Sequence, residues 1–331
     1  MRFFGVLLSV VTTCLALVTC SGGSGSGPTV GSDLAVGVSH PTAAPTPIPA
    51  PTPAVSTSAA PLPAASATAA PPAIRSTKRG IAYDIASTSD LGAFAPGVSW
   101  WYNWASAPNA GISTDASSRY GLEYVPMLWN DRFDATAIAQ SLSANPSEKY
   151  LLVLNEPNVA GQSYLTPQQA ASLWPRYEAV ARTAGVKIVG PAITWGTMPG
   201  YEDPIAWLDT FYAAYRAANG NHDPQIDYLA FHWYDYGLGV QLDRLVKYGK
   251  PFWVTEFANW HAQTDGAQID TLAKQEAQMT DMVKTCETRS DVFRYAWFTG
   301  RVAPDPHFDS TLGASGQLSP LGSLYVSLPH S

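Results

Sequence analysis

Eight short runs rich in β-branched and aromatic residues recur through the chain, each followed by enough sequence for a helix. They are Arg79–Asp84, Val98–Trp104, Leu122–Trp129, Tyr150–Glu156, Lys187–Thr194, Ile226–Tyr234, Pro251–Phe257 and Val292–Phe298. Several are almost continuously apolar, Tyr150-Leu151-Leu152-Val153-Leu154 being the clearest. A strand with no polar face must be covered on both sides, which is the situation of a parallel sheet in an α/β fold. The intervening segments read as helices. Thr166-Pro167-Gln168-Gln169 is a cap followed by proline, and predicts a helix running to Gly185. Asp203 to Asn219 carries Ile205, Leu208, Phe211, Tyr212 and Tyr215 at helical spacing, and Gly266 to Thr288 carries Leu272, Met279 and Met282 on one side. Eight β–α alternations in one stretch of this length predict the α/β class and a (β/α)8 TIM barrel as a single domain over residues 79–331. The competing architecture is a doubly wound open sheet. No Gly-x-Gly-x-x-Gly follows the first run, so the dinucleotide-binding form of that alternative lacks its fingerprint.

The chain before residue 79 has a different composition. Arg2 precedes an apolar stretch from Phe3 to Val18, and Ser/Gly-rich sequence follows from Ser21, which is the pattern of a secretory signal over residues 1–20. Leu17-Val18-Thr19-Cys20 also resembles a lipoprotein box, in which Cys20 would carry a lipid anchor. Residues 21–78 contain ten prolines between Pro41 and Pro72, interleaved with Ala, Thr and Ser. Such sequence has too little apolar mass to offset its ordering entropy, and is expected to be a disordered linker that holds the domain away from an anchor or wall. A secreted or cell-surface location is therefore expected. Only Cys286 falls within residues 79–331, so no disulfide within the domain is expected, and Cys286 reads as a packing residue.

Charge excludes some function classes. The chain has a net charge of −7 and no Lys/Arg run, which argues against a nucleic-acid partner. After the N-terminal stretch no apolar run approaches the length of a membrane span. Neither a His-Glu-x-x-His motif nor a His/Asp cluster is present, so no metal and no cofactor are expected. The domain is expected to work as a monomer.

Two of the eight runs end in an acidic residue. The fourth closes on Leu154-Asn155-Glu156-Pro157 and the seventh on Val254-Thr255-Glu256-Phe257. An unpaired carboxylate at the end of a buried strand is costly, and the C-terminal ends of barrel strands are where catalytic groups collect. Strands on opposing walls aim their last side chains at a common cleft. Two carboxylates across a sugar-sized gap suit glycoside hydrolysis, in which one protonates the leaving oxygen and the other supports the positive charge that develops at the anomeric carbon. On this basis Glu156 is assigned as acid/base and Glu256 as nucleophile. Asn155 is placed to hydrogen-bond the sugar 2-hydroxyl. His232 and Tyr234, at the end of the sixth run, are placed to orient Glu256 or to bind hydroxyls. Trp101, Trp104, Trp129, Trp195, Trp233, Trp260 and Trp297 lie at or just beyond strand ends, where flat rings match the C–H faces of sugars; Trp101, Trp129, Trp195 and Trp297 are expected to line the cleft, and Asn103 could read hydroxyl edges.

These residues resemble a known group. Asn155-Glu156-Pro157 together with Glu256 is similar to the clan of retaining glycoside hydrolases built on (β/α)8 barrels. Gly80-Ile81-Ala82-Tyr83, Ser99-Trp100-Trp101-Tyr102-Asn103-Trp104, Tyr124-Val125-Pro126-Met127-Leu128-Trp129, Gly190-Pro191-Ala192, Phe231-His232-Trp233-Tyr234 and Trp253-Val254-Thr255-Glu256-Phe257 narrow the resemblance to glycoside hydrolase family 128. It extends over about residues 79–328. The resemblance implies a β-1,3-glucanase that retains anomeric configuration without a cofactor, with Glu156 as acid/base and Glu256 as nucleophile. The alternatives are the same barrel acting on another β-linked polysaccharide, such as xylan, mannan or mixed-linkage glucan, and a non-catalytic β-glucan-binding protein.

Overall fold

The computed structural model describes residues 75–261, 263–302 and 310–330. The signal and lipid-anchor readings, and the linker up to residue 74, lie outside the described residues. Residues 75–78, assigned above to the linker, already belong to the folded unit. Ser76 is buried and its hydroxyl bonds Glu287, while the Lys78 ammonium donates to the carbonyls of Cys286, Glu287 and Arg289. Those carbonyls lie at the end of a helix, where unpaired acceptors attract a cation.

Among the described residues nine strands form one sheet in which every pairing is parallel. They are β1 (Arg79–Ala82), β2 (Trp100–Tyr102), β3 (Glu123–Tyr124), β4 (Met127–Leu128), β5 (Tyr150–Val153), β6 (Lys187–Ile193), β7 (Tyr228–Trp233), β8 (Phe252–Phe257) and β9 (Val292–Trp297). Helices α1 (Thr88–Phe94), α2 (Ala116–Tyr120), α3 (Ala135–Ala144), α4 (Pro167–Ala184), α5 (Pro204–Ala218), α6 (Leu238–Leu245), α7 (Leu272–Thr288) and α8 (Pro320–Ser327) alternate with them. The order β3-β2-β1-β9-β8-β7-β6-β5-β4 begins and ends on adjacent segments of chain. β3 and β4 are the two halves of the third run, divided at Val125-Pro126. Val125 N–H donates to the Trp101 carbonyl on one side, and the Pro126 carbonyl accepts from Leu152 N–H on the other. Proline has no N–H to give, so the run cannot form one unbroken ladder strand. It instead hands its pairing from β2 to β5 and thereby closes the (β/α)8 barrel.

The apolar side chains divide by strand alternation. Trp100, Tyr102, Val125, Met127, Leu152, Val189, Ala192, Tyr228, Ala230, Trp253 and Ala296 fill the barrel interior. Their sequence neighbours Ile81, Trp101, Leu151, Val153, Ile188, Phe231, Val254, Tyr295 and Trp297 pack outward with the helices. Arg294 sits among the interior aromatics, 4.9 Å from the Tyr150 and Trp253 ring centres, and its guanidinium is paired with Glu123 at 2.6 Å.

Two helices start where sequence predicts. Thr166 and Gln169 form a reciprocal capping box with Pro167 at the first position, and Gly185 ends α4 in the left-handed conformation. Asp203 caps α5, again with proline next. The third does not. The expected helix from Gly266 begins at Leu272, because Gly266 has a φ of +91° and the cap is Thr271, whose side chain accepts from Lys274 N–H. Among the described residues no helix is long and apolar enough to cross a membrane.

Candidate active site

β5 and β8 deliver the two acidic residues. The backbone beyond β5 is irregular: Leu154 and Glu156 have φ of +60° and +40°, and Asn155 between them bridges to Ala192 of β6. Non-glycine residues occupy that region only where their surroundings impose it, at a cost on the order of 1–3 kcal/mol each. Glu156 N–H donates to the Ala192 carbonyl, which fixes the turn that points its carboxyl inward. On the opposite wall, the register between β8 and β9 shifts between Val254 and Phe257, so the strand is bulged where Glu256 sits.

His232, from β7, lies between the two carboxylates and is fully buried. Its Nδ1 is 2.8 Å from Glu156 Oε1, and its Nε2 is 2.9 Å from Thr255 Oγ1 and 3.6 Å from Glu256 Oε1. One oxygen of each glutamate and a ring nitrogen of His232 all fall within 4.8 Å of one another. Glu256 is surrounded by donors. Tyr102 Oη–H and Trp104 Nε1–H give to Oε1 at 3.0 and 2.8 Å, and Tyr234 Oη–H gives to Oε2. All three point an N–H or O–H at this one carboxyl group. Burial, followed by the charge of Glu256, pushes both tyrosine hydroxyls well above their ordinary range, so they stay donors.

Glu156 differs. Burial raises its pKa, the His232 contact opposes that, and the Glu256 charge adds to the rise. Burial alone would lower the pKa of His232, but the Glu256 charge and the bond from Glu156 lift it above the ordinary histidine range. The Glu156–His232 hydrogen bond thus shares a proton between two groups whose pKa values are both raised. A glutamic acid of raised pKa beside a second carboxyl group is the condition for acid and acceptor roles in one site. Glu156, His232 and Glu256 are the described residues that could together ligate a cation. Glu156 Oε1 and both ring nitrogens of His232 already face protein partners.

The structure brings Glu156, Glu256, His232 and Tyr234 together, with Asn155 beside them. Asn155 Nδ2–H donates to Gln162 Oε1 at 3.0 Å, and its Oδ1 is buried without a partner among the described residues. Trp129, half-buried just beyond β4, packs on the interior cluster. Trp195 stands on the rim beyond β6, 40 % exposed, with its indole N–H on Gln241 and the Arg244 guanidinium 4.9 Å from its ring.

Three expectations are corrected. Trp101 and Trp297 are fully buried among the outward-facing core residues, Trp101 against Tyr124 and Trp297 against Phe257. Both are one residue out of phase with the inward positions Tyr102 and Phe298, so neither lines the cleft. Asn103 builds a loop instead of reading a ligand: its amide donates to Ala107 O, and its carbonyl accepts from Tyr124 Oη–H and Ala105 N–H. Tyr102 and Thr255 were not among the expected site residues, and Trp104 was named only among the tryptophans at strand ends; these three hold Glu256 and His232. Trp260, likewise named only as lying at a strand end, and Phe298, which was not expected, have rings 4.6 and 5.9 Å from the Tyr234 ring. Alternation from Trp100 would have pointed to Tyr102. Trp104, with a φ of +60°, lies past the end of the strand, where alternation no longer applies.

A closed β/α barrel with two paired carboxyl groups at the C-terminal ends of its strands has the build of a barrel glycoside hydrolase. Comparison with known proteins makes this specific. Residues 80–325 match the family model described as glycosyl hydrolase catalytic core. The chain belongs to that family, is a glycoside hydrolase, and within it falls among the members of glycoside hydrolase family 128. It is 59 % identical to a subgroup II endo-β-1,3-glucanase of this family from Pseudomonas viridiflava, with a TM-score of 0.77 over 78 % of this chain and 100 % of that one. A subgroup I endo-β-1,3-glucanase from Amycolatopsis mediterranei, solved with laminaritriose, is 25 % identical with a TM-score of 0.57, over 76 % of this chain and 99 % of that one. Alkali-sensitive linkage protein 1 of Schizosaccharomyces pombe is 31 % identical over 267 residues, which is 76 % of this chain and 45 % of that protein. The chain thus spans less than half the length of this curated relative.

Proposed function

We propose that the protein is a secreted β-1,3-glucanase that cleaves by double displacement with retention of configuration. The observation that carries this is the convergence of Glu156 and Glu256 on His232 with one oxygen of each within 4.8 Å of the other. Retaining enzymes hold their carboxyl groups about 5–5.5 Å apart, whereas inverting enzymes leave about 6.5–9.5 Å for a water. The gap here suits direct attack. The substrate class is supported by the two endo-β-1,3-glucanases described above.

In the first step Glu256 Oε2 or Oε1 attacks the anomeric carbon while Glu156 gives its proton to the departing oxygen. The hydroxyls of Tyr102 and Tyr234 and the Trp104 indole hold the Glu256 carboxylate in place. His232 holds Glu156 on one oxygen and is itself fixed through Thr255. Once ionised, Glu156 takes a proton from water, which then displaces the sugar from Glu256. The buried Oδ1 of Asn155 is the acceptor we assign to the 2-hydroxyl, a contact that strengthens as charge develops. Residues 1–20 support export, and Cys20 a lipid anchor.

The test is hydrolysis of laminarin beside xylan, mannan and mixed-linkage glucan, with product sizing and NMR of the first-formed anomer. β-1,3-linked products appearing first as the β-anomer are expected. Equal turnover of xylan or mannan would reassign the substrate. An α-anomer would refute retention, and binding without cleavage would leave a lectin-like protein.

A further inference from the structure

Outside the carboxylate pair, one cluster of titratable groups stands at the same end of the barrel. His261 follows β8 and is 8 % exposed. Its Nδ1 is 2.8 Å from Asp235 Oδ1, and its Nε2 is 3.1 and 3.0 Å from the two oxygens of Asp265. A neutral imidazole has one N–H, so one of these carboxylates would face a lone pair. Only the imidazolium serves both.

The two sequence neighbours of this bridge matter. Asp235 directly follows Tyr234, and Trp260 directly precedes His261. The Tyr234 and Trp260 rings stack at 4.6 Å and 13°, and Trp260 N–H donates to the Tyr234 carbonyl at 3.0 Å. Tyr234 in turn bonds Glu256. Asp265 also accepts from Ala267 N–H, Ile269 N–H donates to the His261 carbonyl, and Tyr236 Oη–H donates to Ala267 O. The segment after β8 is therefore folded back on the loop after β7 around one histidine.

We propose that His261, as an imidazolium between Asp235 and Asp265, is a positioning residue: it ties these two segments and keeps Trp260 flat against the tyrosine that holds Glu256. This rests on Glu256 being the nucleophile. The groups facing His261 are Asp235 and the Tyr236 ring from the loop after β7, and Asp265 from its own segment. Lys274 of α7 acts on Tyr236 and is paired with Asp270. Burial opposes charge on His261, but the two carboxylates outweigh it and raise its pKa. A raised histidine pKa makes the tie complete below the ordinary histidine range and releases it as pH climbs through the folded value.

The test is hydrogen–deuterium exchange of residues 258–270 in the free protein from about pH 6 to about pH 9, corrected for intrinsic rates, in wild type, H261Q and D235N. Wild type should show protection that drops about tenfold as His261 loses its proton. H261Q should show the low protection at every pH, with the barrel strands unchanged, and kcat on laminarin should fall more than KM changes. D235N should keep the step but move it down by about one pH unit, since one of the two carboxylate charges is gone. Protection in H261Q equal to wild type would overturn the proposal. If H261Q does not fold, a D235N step coincident with wild type would do so. The exchange needs no substrate, so failure of laminarin hydrolysis leaves the tie separately decided.

Discussion

At the residue scale the site is a problem in proton placement. Two carboxylates within 4.8 Å would repel if both were ionised, and His232 between them resolves this by sharing a proton with Glu156. Under the proposed mechanism E156Q removes the proton donor. Turnover of glucan should fall about 10²–10⁴-fold, and an aryl glycoside with an activated leaving group should lose much less in its first step. Equal losses on both substrates would remove Glu156 from the acid role. Y234F deletes one donor to Glu256, and a hydrogen bond to a charged group is worth about 1.5–3 kcal/mol, so kcat should drop roughly 10–100-fold with little change in melting temperature. The pH profile follows from the pair. Because burial raises Glu156 and the carboxylates raise His232, activity should persist above the ordinary carboxylic-acid range and decline as the shared proton leaves. An alkaline limb at the pKa of an unperturbed glutamate would contradict the coupling.

At the element scale, chain pattern and strand phase decide what each residue can do. Gly80 in β1 lies under the Trp100 ring, where an added Cβ would sit 2.3 Å from Cε2. G80A should therefore destabilise by about 1–3 kcal/mol in urea unfolding, by overpacking the barrel interior. A variant with wild-type stability would mean the ring moves freely. Asp90 lies in the first turn of α1, which Ser87 caps, and its carboxylate pKa is held by Arg301 at about 2. Its contribution is full above about pH 3.9, the unfolded value, and disappears as pH falls through about 2. The melting-temperature gap between wild type and D90N should shrink over that window, and a constant gap would show that the ion pair contributes nothing. Much of this level was legible in sequence. The runs, the Thr166 cap and Glu156 and Glu256 at strand ends all follow from pattern and turn chemistry. Trp101 and Trp297 were misplaced because a run of consecutive aromatics does not reveal which phase faces inward. Asn103 was misplaced because its partners, Tyr124 and Ala107, satisfy it only once the loop has folded.

At the scale of the whole molecule, closure depends on contacts between distant parts of the chain. Arg79, fully buried at the start of β1, donates to the carbonyls of Tyr325, Leu328 and Pro329, bonds the Tyr295 hydroxyl and pairs with Glu287 at 3.5 Å. It therefore joins α7, β9 and the C-terminal segment to the first strand. R79M would leave Glu287 and three carbonyls without their cation, and should cost about 3–5 kcal/mol in equilibrium unfolding. A loss below about 1 kcal/mol would show that water replaces it.

Local pattern by itself determined the class of fold, the eight β–α alternations and the positions of the two acidic residues, because apolar runs, caps and a carboxyl at a strand end are written in neighbouring positions. Only the tertiary structure decided that His232 stands between Glu156 and Glu256, that Tyr102, Trp104 and Tyr234 serve Glu256, and that His261 bridges two loops. Those contacts join side chains from strands far apart in sequence. Their distances are set by barrel curvature, strand bulges and positive-φ turns, none of which has a local residue code.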